Sequence, residues 1–268
     1  MKWLIQEFLN HNASVETMME GLESEGRDFL FVRLNKDDSI TVLDKKSRVP
    51  LDDGEEIFNA FIESGCVIGY GSKRFDATLR RMNVHPGSFM NERFEMSYIR
   101  ERVGDELLNP EFLVGELQDL NPEWETFFIR PTGGTKLFGG MVVSRSDFQE
   151  WQDRENHTGS NYRGQTLMMA PLKDIEAEYR FFVVDGKVVT GSSYRVAGKL
   201  DITHVPPVEV ARHAQAMVDK FQIAQAFVID IAETNEGMKI VEYNCFNTAG
   251  LYRCAPRDII RTVERMTV

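Results

Sequence analysis

Apolar and polar positions fall into short, well-bounded segments along this chain, and their period changes from one segment to the next. Lys2 followed by Trp3-Leu4-Ile5 suits a strand over 2–5. Val15, Met18, Met19 and Leu22 then recur at helical spacing, with Ser14 as the expected N-cap and Gly26 as the stop. Residues 28–34 return as a strand, so the opening reads as a βαβ-like unit. Ile57, Phe58, Phe61 and Ile62 mark the inner face of a second helix over 55–64. Residues 66–71 form a continuous apolar strand that runs into the glycine-rich turn GYGSKRF. Between 83 and 122, His85-Pro86-Gly87, Asn109-Pro110 and Asn121-Pro122 interrupt short apolar patches. That stretch reads as the passage from an N-terminal domain to a second one.

From residue 125 the pattern is strand-rich. FFIRP (127–131) is a strand, 133–140 is a glycine-rich loop holding Lys136, and Met141-Val142-Val143 is another strand. Ser146 is the expected cap of a short helix through Trp151, and 154–164 is polar and reads as mobile. TLMMAP (166–171) is a strand. Asp185-Gly186 is a two-residue hairpin signal, placing Val184 opposite Lys187, Arg180 opposite Gly191 and Glu178 opposite Ser193. In that register Glu178, Arg180, Ser193 and Arg195 share a face, and Gly191 leaves room beside Arg180. Pro206 or Pro207 opens a helix with Val210, Ala214, Met217, Val218 and Phe221 on one side. A last hairpin turns through Asn235-Glu236-Gly237, with glycine at its left-handed position and Thr234 facing Met238. A short helix over 256–265 closes the pattern.

That last hairpin carries the sharpest chemistry. Its register sets Asp230 opposite Glu242, and strand alternation puts Glu242 and Asn244 on the same face. Facing carboxylates repel, and a divalent cation relieves them; an all-oxygen set suits Mg²⁺. The plain alternative is the solvated side of an ordinary hairpin. Arg130 and Lys136 flank the glycine-rich loop, where cations and backbone N–H groups suit a phosphate chain. Ser72 and Lys73 of GYGSKRF suit either an acceptor site or a structural turn, and the sequence lacks the full Gly-x-x-x-x-Gly-Lys-Ser/Thr pattern. The histidines lack metal-ligand spacing; His157 stands beside the glycine-rich segment.

Composition narrows the picture. The net charge of −11 argues against nonspecific binding to nucleic acid or an anionic membrane. No apolar run approaches the ~18 residues of a membrane span. The charged MKWLIQEF opening is a poor signal peptide. Cys66, Cys245 and Cys254 show no paired spacing, which suits a reduced, cytoplasmic protein.

Taken in order, CVIGYGSKRF, ELLN, FFIRPTGGTKLFGG, EYRFFVVDGKVVTGSSYR and VIDIAE…KIVEYNCFNTAGLY resemble the ATP-grasp superfamily. More narrowly, they resemble its phage-associated clade with a two-arginine, one-lysine signature. The resemblance implies an α+β fold in which two α+β lobes grip ATP, preceded by a small α/β pre-grasp domain. The implied division is 1–122 for the pre-grasp domain and 123–268 for the nucleotide-binding domain, with a lid-like lobe over 123–170 and a metal-binding lobe over 171–268. By the same resemblance, Arg130 and Lys136 bind phosphates, and the backbone near Met169, Ala170 and Leu172 meets adenine. Glu178 reaches the nucleotide or helps place Arg180, while Arg180 and Arg195 neutralise the γ-phosphate. Asp230, Glu242 and Asn244 are the implied Mg²⁺ ligands, though Asp230 also suits a structural role as a hydrogen-bond acceptor. The implied activity is ATP-dependent joining of a carboxylate to an amine (or thiol) through an acyl phosphate. A small-molecule kinase and a non-catalytic ATP-binding module stay open as alternatives. The implied partners are ATP, a carboxylate donor and an amine acceptor, which is a small molecule or a peptide terminus. A homodimer is compatible with the superfamily, and a phage origin would place the protein in the host cytoplasm.

Overall fold

The computed structural model describes residues 1–7, 12–90, 92–132, 138–158, 162, 164–202 and 205–266. The first sheet holds β1 (Lys2–Gln6), β2 (Phe29–Leu34), β3 (Ile40–Leu43), β4 (Val67–Tyr70) and β5 (Pro86–Gly87), in the order β3-β2-β1-β4-β5. β1 runs parallel to both β2 and β4, which bears out the βαβ opening. The helices α1 (Asn12–Ser24), α2 (Gly54–Glu63) and α3 (Lys73–Arg81) flank it in sequence. α1 starts before the expected cap, and the Ser14 hydroxyl instead accepts the Leu251 N–H at 3.0 Å. β3 and α3 are additions to the sequence reading. In β3 only Val42 and Leu43 are buried, too short a run for alternation to register. α3 reads KRFDATLRR, and its apolar face is only Phe75 and Leu79. Ser72 caps it, accepting the Phe75 N–H at 3.1 Å.

The second sheet is antiparallel, with β6 (Leu113–Glu116), β7 (Thr126–Pro131), β8 (Met141–Ser144) and β9 (Thr166–Pro171) in the order β6-β9-β7-β8. β6 lies within the stretch read as a passage, so this sheet draws on residues before position 123. The same stretch folds into α4 (Met96–Val103), whose Ile99 and Val103 pack with Leu107 and Phe112 against the third sheet. α5 (Arg145–Thr158) is more than twice the length of the expected helix. Its tail, DRENHT, has no apolar residue to mark a face, and Ser144 rather than Ser146 accepts the Asp147 N–H. Phe148 is buried on Phe127, and Trp151 packs on Phe138 and Tyr162. Lys136 and part of the 154–164 segment lie outside the described residues.

The third sheet is antiparallel: β10 (Ile175–Val184), β11 (Lys187–Val196), β12 (Lys199–Leu200), β13 (Ala226–Thr234) and β14 (Gly237–Cys245), ordered β12-β11-β10-β13-β14. α6 (Val208–Lys220) follows Pro207 and buries Val210, Ala214, Met217 and Val218, as the spacing predicts. α7 (Pro256–Val263) ends the described chain's regular structure.

Both hairpins depart from their expected registers through bulges. Between β10 and β11 the turn is as read, with Val184 opposite Lys187, but irregularities follow at Phe182/Val183 and Glu178/Tyr179. Arg180 therefore faces Ser192 rather than Gly191, and Glu178 faces Arg195 rather than Ser193. Gly191 makes room for Phe181 instead: a Cβ on it would lie 2.5 Å from that ring. In the last hairpin Thr234 pairs with Gly237, one residue tighter than expected, although Gly237 keeps the positive φ of 104°. An extra residue, Val241, then enters β14, and the pairing of Asp230 with Glu242 is restored. An inserted residue of this kind adds local twist and re-aims the next side chain.

The core is shared between the halves of the chain. Trp3, Ile5, Met18 and Leu22 pack in one cluster with Phe182, Val228, Phe246, Ile259 and Ile260. Phe246 sits among the rings of Trp3, Tyr70, Phe89 and Phe182, with centroids 5.8–6.3 Å away. Among the described residues no helix is long and apolar enough to cross a membrane.

Candidate functional site

The polar centre is a row of side chains across three strands. Arg180 on β10 lies opposite Asp230 on β13, which lies opposite Glu242 on β14. Directly opposed residues present their side chains to the same face. Arg180 forks onto Asp230, with Nε–Oδ1 at 2.9 Å and Nη2–Oδ2 at 2.7 Å. Its remaining Nη1 donates to the Gly250 carbonyl at 3.3 Å. Asn244, two residues beyond Glu242, donates its amide N–H to Asp230 Oδ2 at 3.2 Å and to Glu242 Oε1 at 2.8 Å. Arg130, from β7 of the second sheet, reaches across to Glu242 with Nη1–Oε2 at 2.5 Å. Two lobes thus meet at one ion pair.

Both ends of the Arg180–Asp230 pair are buried, the arginine 9% exposed and the aspartate not at all. Burial works against the Arg180 charge, but Asp230 beside it more than compensates, and its pKa stands above the usual range. Burial pushes Asp230 upward, against the pull of Arg180, with Glu242 and Glu178 adding to the rise. Burial would push Glu242 up as well, but Arg130, the Asn244 amide and Arg180 hold its carboxyl below the ordinary range.

Beside this row stands a second group. Tyr194 donates its hydroxyl to Glu178 Oε2, and Arg195 Nη1 meets Glu178 Oε1 at 3.2 Å. Glu178 is buried, whereas the Arg195 side chain is 52% exposed. The neighbour of Glu178 on the strand, Glu176, is exposed. Glu178 holds Tyr194 and Arg195; it is Asp230 that holds Arg180. Tyr194 stacks on Tyr252 with centroids 5.2 Å apart and planes within 7°. Both rings lie beside the Arg180 guanidinium, at 5.6 and 5.1 Å. A cation near aromatic faces in a dry site gains electrostatic stabilisation.

The segment after β14 is tied to the end of β4 in the first sheet. Gly71 N–H donates to the Asn247 carbonyl at 3.0 Å, and Asn247 Nδ2 returns a bond to Gly71 O at 3.1 Å. Tyr70 donates to the Ala249 carbonyl at 2.8 Å. GYGSKRF is thereby tied to the loop that also carries Gly250, which accepts the third hydrogen bond of Arg180. Sequence reasoning missed Tyr194, Tyr252 and Asn247. Tyr194 falls on the wrong face in an unbroken register, and the irregularity at Phe182/Val183, which shifts the pairing by one residue, brings it to the face of Arg180. Tyr252 sits at a left-handed φ of 49°, which no pattern in the sequence announces.

Arg130, Arg180, Asp230, Glu242 and Asn244 thus form one connected group, with Glu178 and Arg195 bridged to it through Tyr194. Met169 and Ala170 are buried in β9, while Leu172 just beyond it is exposed. Pairing of β6 with β9 stops at Met169, whereas β7 continues to Pro171. From Ala170 onward the β6-side edge of the strand is not covered by β6, which suits a backbone edge that meets a planar ligand. Lys136 lies outside the described residues. By donor chemistry, Glu242, Asn244 and Asp230 suit a hard cation such as Mg²⁺. Both Asp230 oxygens are already taken by Arg180, which matches the structural role also open to that residue. Among the described residues no group of three or more His, Cys, Asp and Glu side chains is placed to hold a metal. The Asn244 oxygen and the outward side of Glu242 are what the group offers a cation.

No curated protein matches the chain by sequence. Among solved structures it is similar over its whole length to the D-cycloserine synthetase DcsG, with a TM-score of 0.65, 12% identity and 100% of each chain covered. It is also similar to D-alanine–D-alanine ligase from Bacillus anthracis complexed with ATP, with a TM-score of 0.63, 12% identity, and 98% of this chain and 97% of that chain covered. A RimK domain ATP-grasp protein from Sphaerobacter thermophilus gives a TM-score of 0.61 at 11% identity, with 98% and 97% covered. These likenesses bear out the α+β, ATP-grasp fold. A family profile describing the ATP-grasp domain of clade family 3, within the two-arginine, one-lysine clade, matches residues 78–263. The chain therefore belongs to the ATP-grasp superfamily, in that clade.

Proposed function

We propose that this protein is an ATP-dependent ligase that joins a carboxylate to an amine through an acyl phosphate, with MgATP as the phosphoryl donor. The observation that carries this reading is the meeting of Arg130 and Arg180, from two sheets, at the Asp230–Glu242–Asn244 row. Such a group binds and neutralises a triphosphate between two lobes. The substrate carboxylate attacks the γ-phosphorus, the bond to ADP breaks, and the acyl phosphate forms. The amine then attacks the acyl carbon, and inorganic phosphate and a proton leave. Little covalent chemistry falls to the protein; placement and charge compensation carry the rate.

In this reading Arg130 and Lys136 hold phosphate oxygens, and the edge of β9 at Met169, Ala170 and Leu172 faces adenine. Arg180 presents a fixed charge to the transferring group, and Asp230 keeps that charge oriented. Arg195, the exposed arginine of the pair, meets the γ-phosphate or a substrate carboxylate. Glu242 and Asn244 would hold Mg²⁺, which lowers the charge of the phosphate chain when bound. We place the boundary between the substrate-side unit and the nucleotide-binding unit after β5, ahead of residue 123, because α4 and β6 pack with the later sheets. The neighbouring D-alanine–D-alanine ligase complexed with ATP and D-cycloserine synthetase agree with this reading at the level of fold.

The test is a thermal-shift titration with ATP, with and without Mg²⁺, on wild type and Glu242→Gln. Binding to the native state raises the Tm by mass action. A Mg²⁺-dependent rise that is absent in the variant is the expected result. No rise at millimolar ATP would remove the nucleotide site. Hydroxylamine trapping of an acyl phosphate then separates the ligase from a kinase acting on an alcohol.

A further inference from the structure

The Arg130–Glu242 ion pair does more than join two sheets. Glu242 is the carboxylate of the row that Arg180 does not claim, so it is the one with most to give a cation. Yet its Oε2 is held by Arg130 and its Oε1 by the Asn244 amide N–H. The protein thus supplies its own positive charge at this position. The two arginines differ in how firmly they are held. Arg180 makes a two-pronged fork to a fully buried aspartate and a further bond to Gly250. Among the described residues Arg130 makes one ion pair, through Nη1, and its side chain is 28% exposed. If one of the two moves, it is Arg130.

A bare divalent cation approaching Glu242 must displace the guanidinium and leave it without a counter-charge between the sheets. A cation arriving with a triphosphate meets no such penalty, because the phosphates take up the arginine. We propose that Arg130 is an internal counter-ion that excludes free divalent metal from Glu242 and makes metal binding conditional on nucleotide. Resting on the nucleotide-site reading above, the proposal turns the ion pair into the coupling between the two ligands. Such coupling is reciprocal: nucleotide raises the affinity for metal by the same factor that metal raises it for nucleotide. The effect belongs to this chain's residues, because it depends on an arginine from β7 reaching the β14 carboxylate.

The experiment titrates Mn²⁺, followed by its free-ion paramagnetic resonance signal, against wild type, Arg130→Gln, Arg130→Lys and Glu242→Gln. Each is measured alone and with a non-hydrolysable ATP analogue, after a thermal melt has shown that the variant folds. Wild type should bind Mn²⁺ weakly alone and at least tenfold more tightly with the analogue, within the usual range of coupling between sites of about 5–150-fold. Arg130→Gln should gain about tenfold for Mn²⁺ alone and lose most of the coupling, whereas Arg130→Lys, which keeps the charge, should stay near wild type. Equal affinity of wild type and Arg130→Gln for Mn²⁺ alone would overturn the proposal, as would a gain in Arg130→Lys equal to that in Arg130→Gln. Failure of wild type to bind Mn²⁺ even with the analogue, or binding unchanged by Glu242→Gln, would instead overturn the nucleotide-site reading on which it rests.

Discussion

At the scale of residues, the site is governed by which charges can move and which cannot. Arg180 and Asp230 are a buried, doubly bonded pair, and removing one partner leaves the other as an uncompensated buried charge. Arg180→Ala is therefore expected to lower stability by about 3–5 kcal/mol, measured by urea denaturation. A cost under about 1 kcal/mol would mean that the pair is far better solvated than its burial indicates. Any loss of phosphoryl transfer in that variant has to be judged on folded protein alone. Arg130 stands at the other extreme, partly exposed and, among the described residues, held by a single ion pair. Glu242, Asn244 and Arg180 could be nominated from strand alternation and a resemblance, because charge type and spacing are written in the sequence. Tyr194 and Tyr252 could not, because their positions depend on a bulge and a left-handed backbone angle.

At the scale of elements, Gly191 offers a clean test of the bulged register. A Cβ at this position would lie within 2.5–2.6 Å of the Phe181 ring, which is 1% exposed and has nowhere to go. Gly191→Ala should cost about 1–3 kcal/mol by overpacking, read as a fall in the urea midpoint with an unchanged m-value. A neutral outcome would favour the unbroken register, in which the glycine faces Arg180. The apolar strands β9, β10, β13 and β14 were legible in the sequence, and so was α6 with its four-residue apolar stripe. What escaped were elements whose apolar faces are too short to count: β3, α3, α4, β6 and the polar half of α5. The last hairpin is a special case. Its expected turn was one residue too long and its bulge was unforeseen, and the two differences cancel to leave Asp230 opposite Glu242.

At the scale of the whole molecule, the later part of the chain shares its core with the first sheet. Trp3, Ile5 and the inner face of α1 share one core with Phe182, Phe246 and α7, and Trp3 Nε1 donates to Glu264 at 3.3 Å. A fragment of 123–268 would expose the faces of Phe182, Val228, Phe246 and Ile260, and would lack Leu107 and Phe112 beneath the third sheet. It is expected to show no cooperative thermal transition by circular dichroism, whereas the full chain melts in one step. An independent, sharp transition in the fragment would show that the shared core is dispensable. The packing of Phe246 has a consequence for how new specificities arise. Because the first and third sheets are set on the same buried rings, neither can be exchanged as a cassette with a distant relative's. Diversification has to proceed by point changes on a fixed frame, at exposed positions away from the shared rings and from the Arg180–Asp230–Glu242 row.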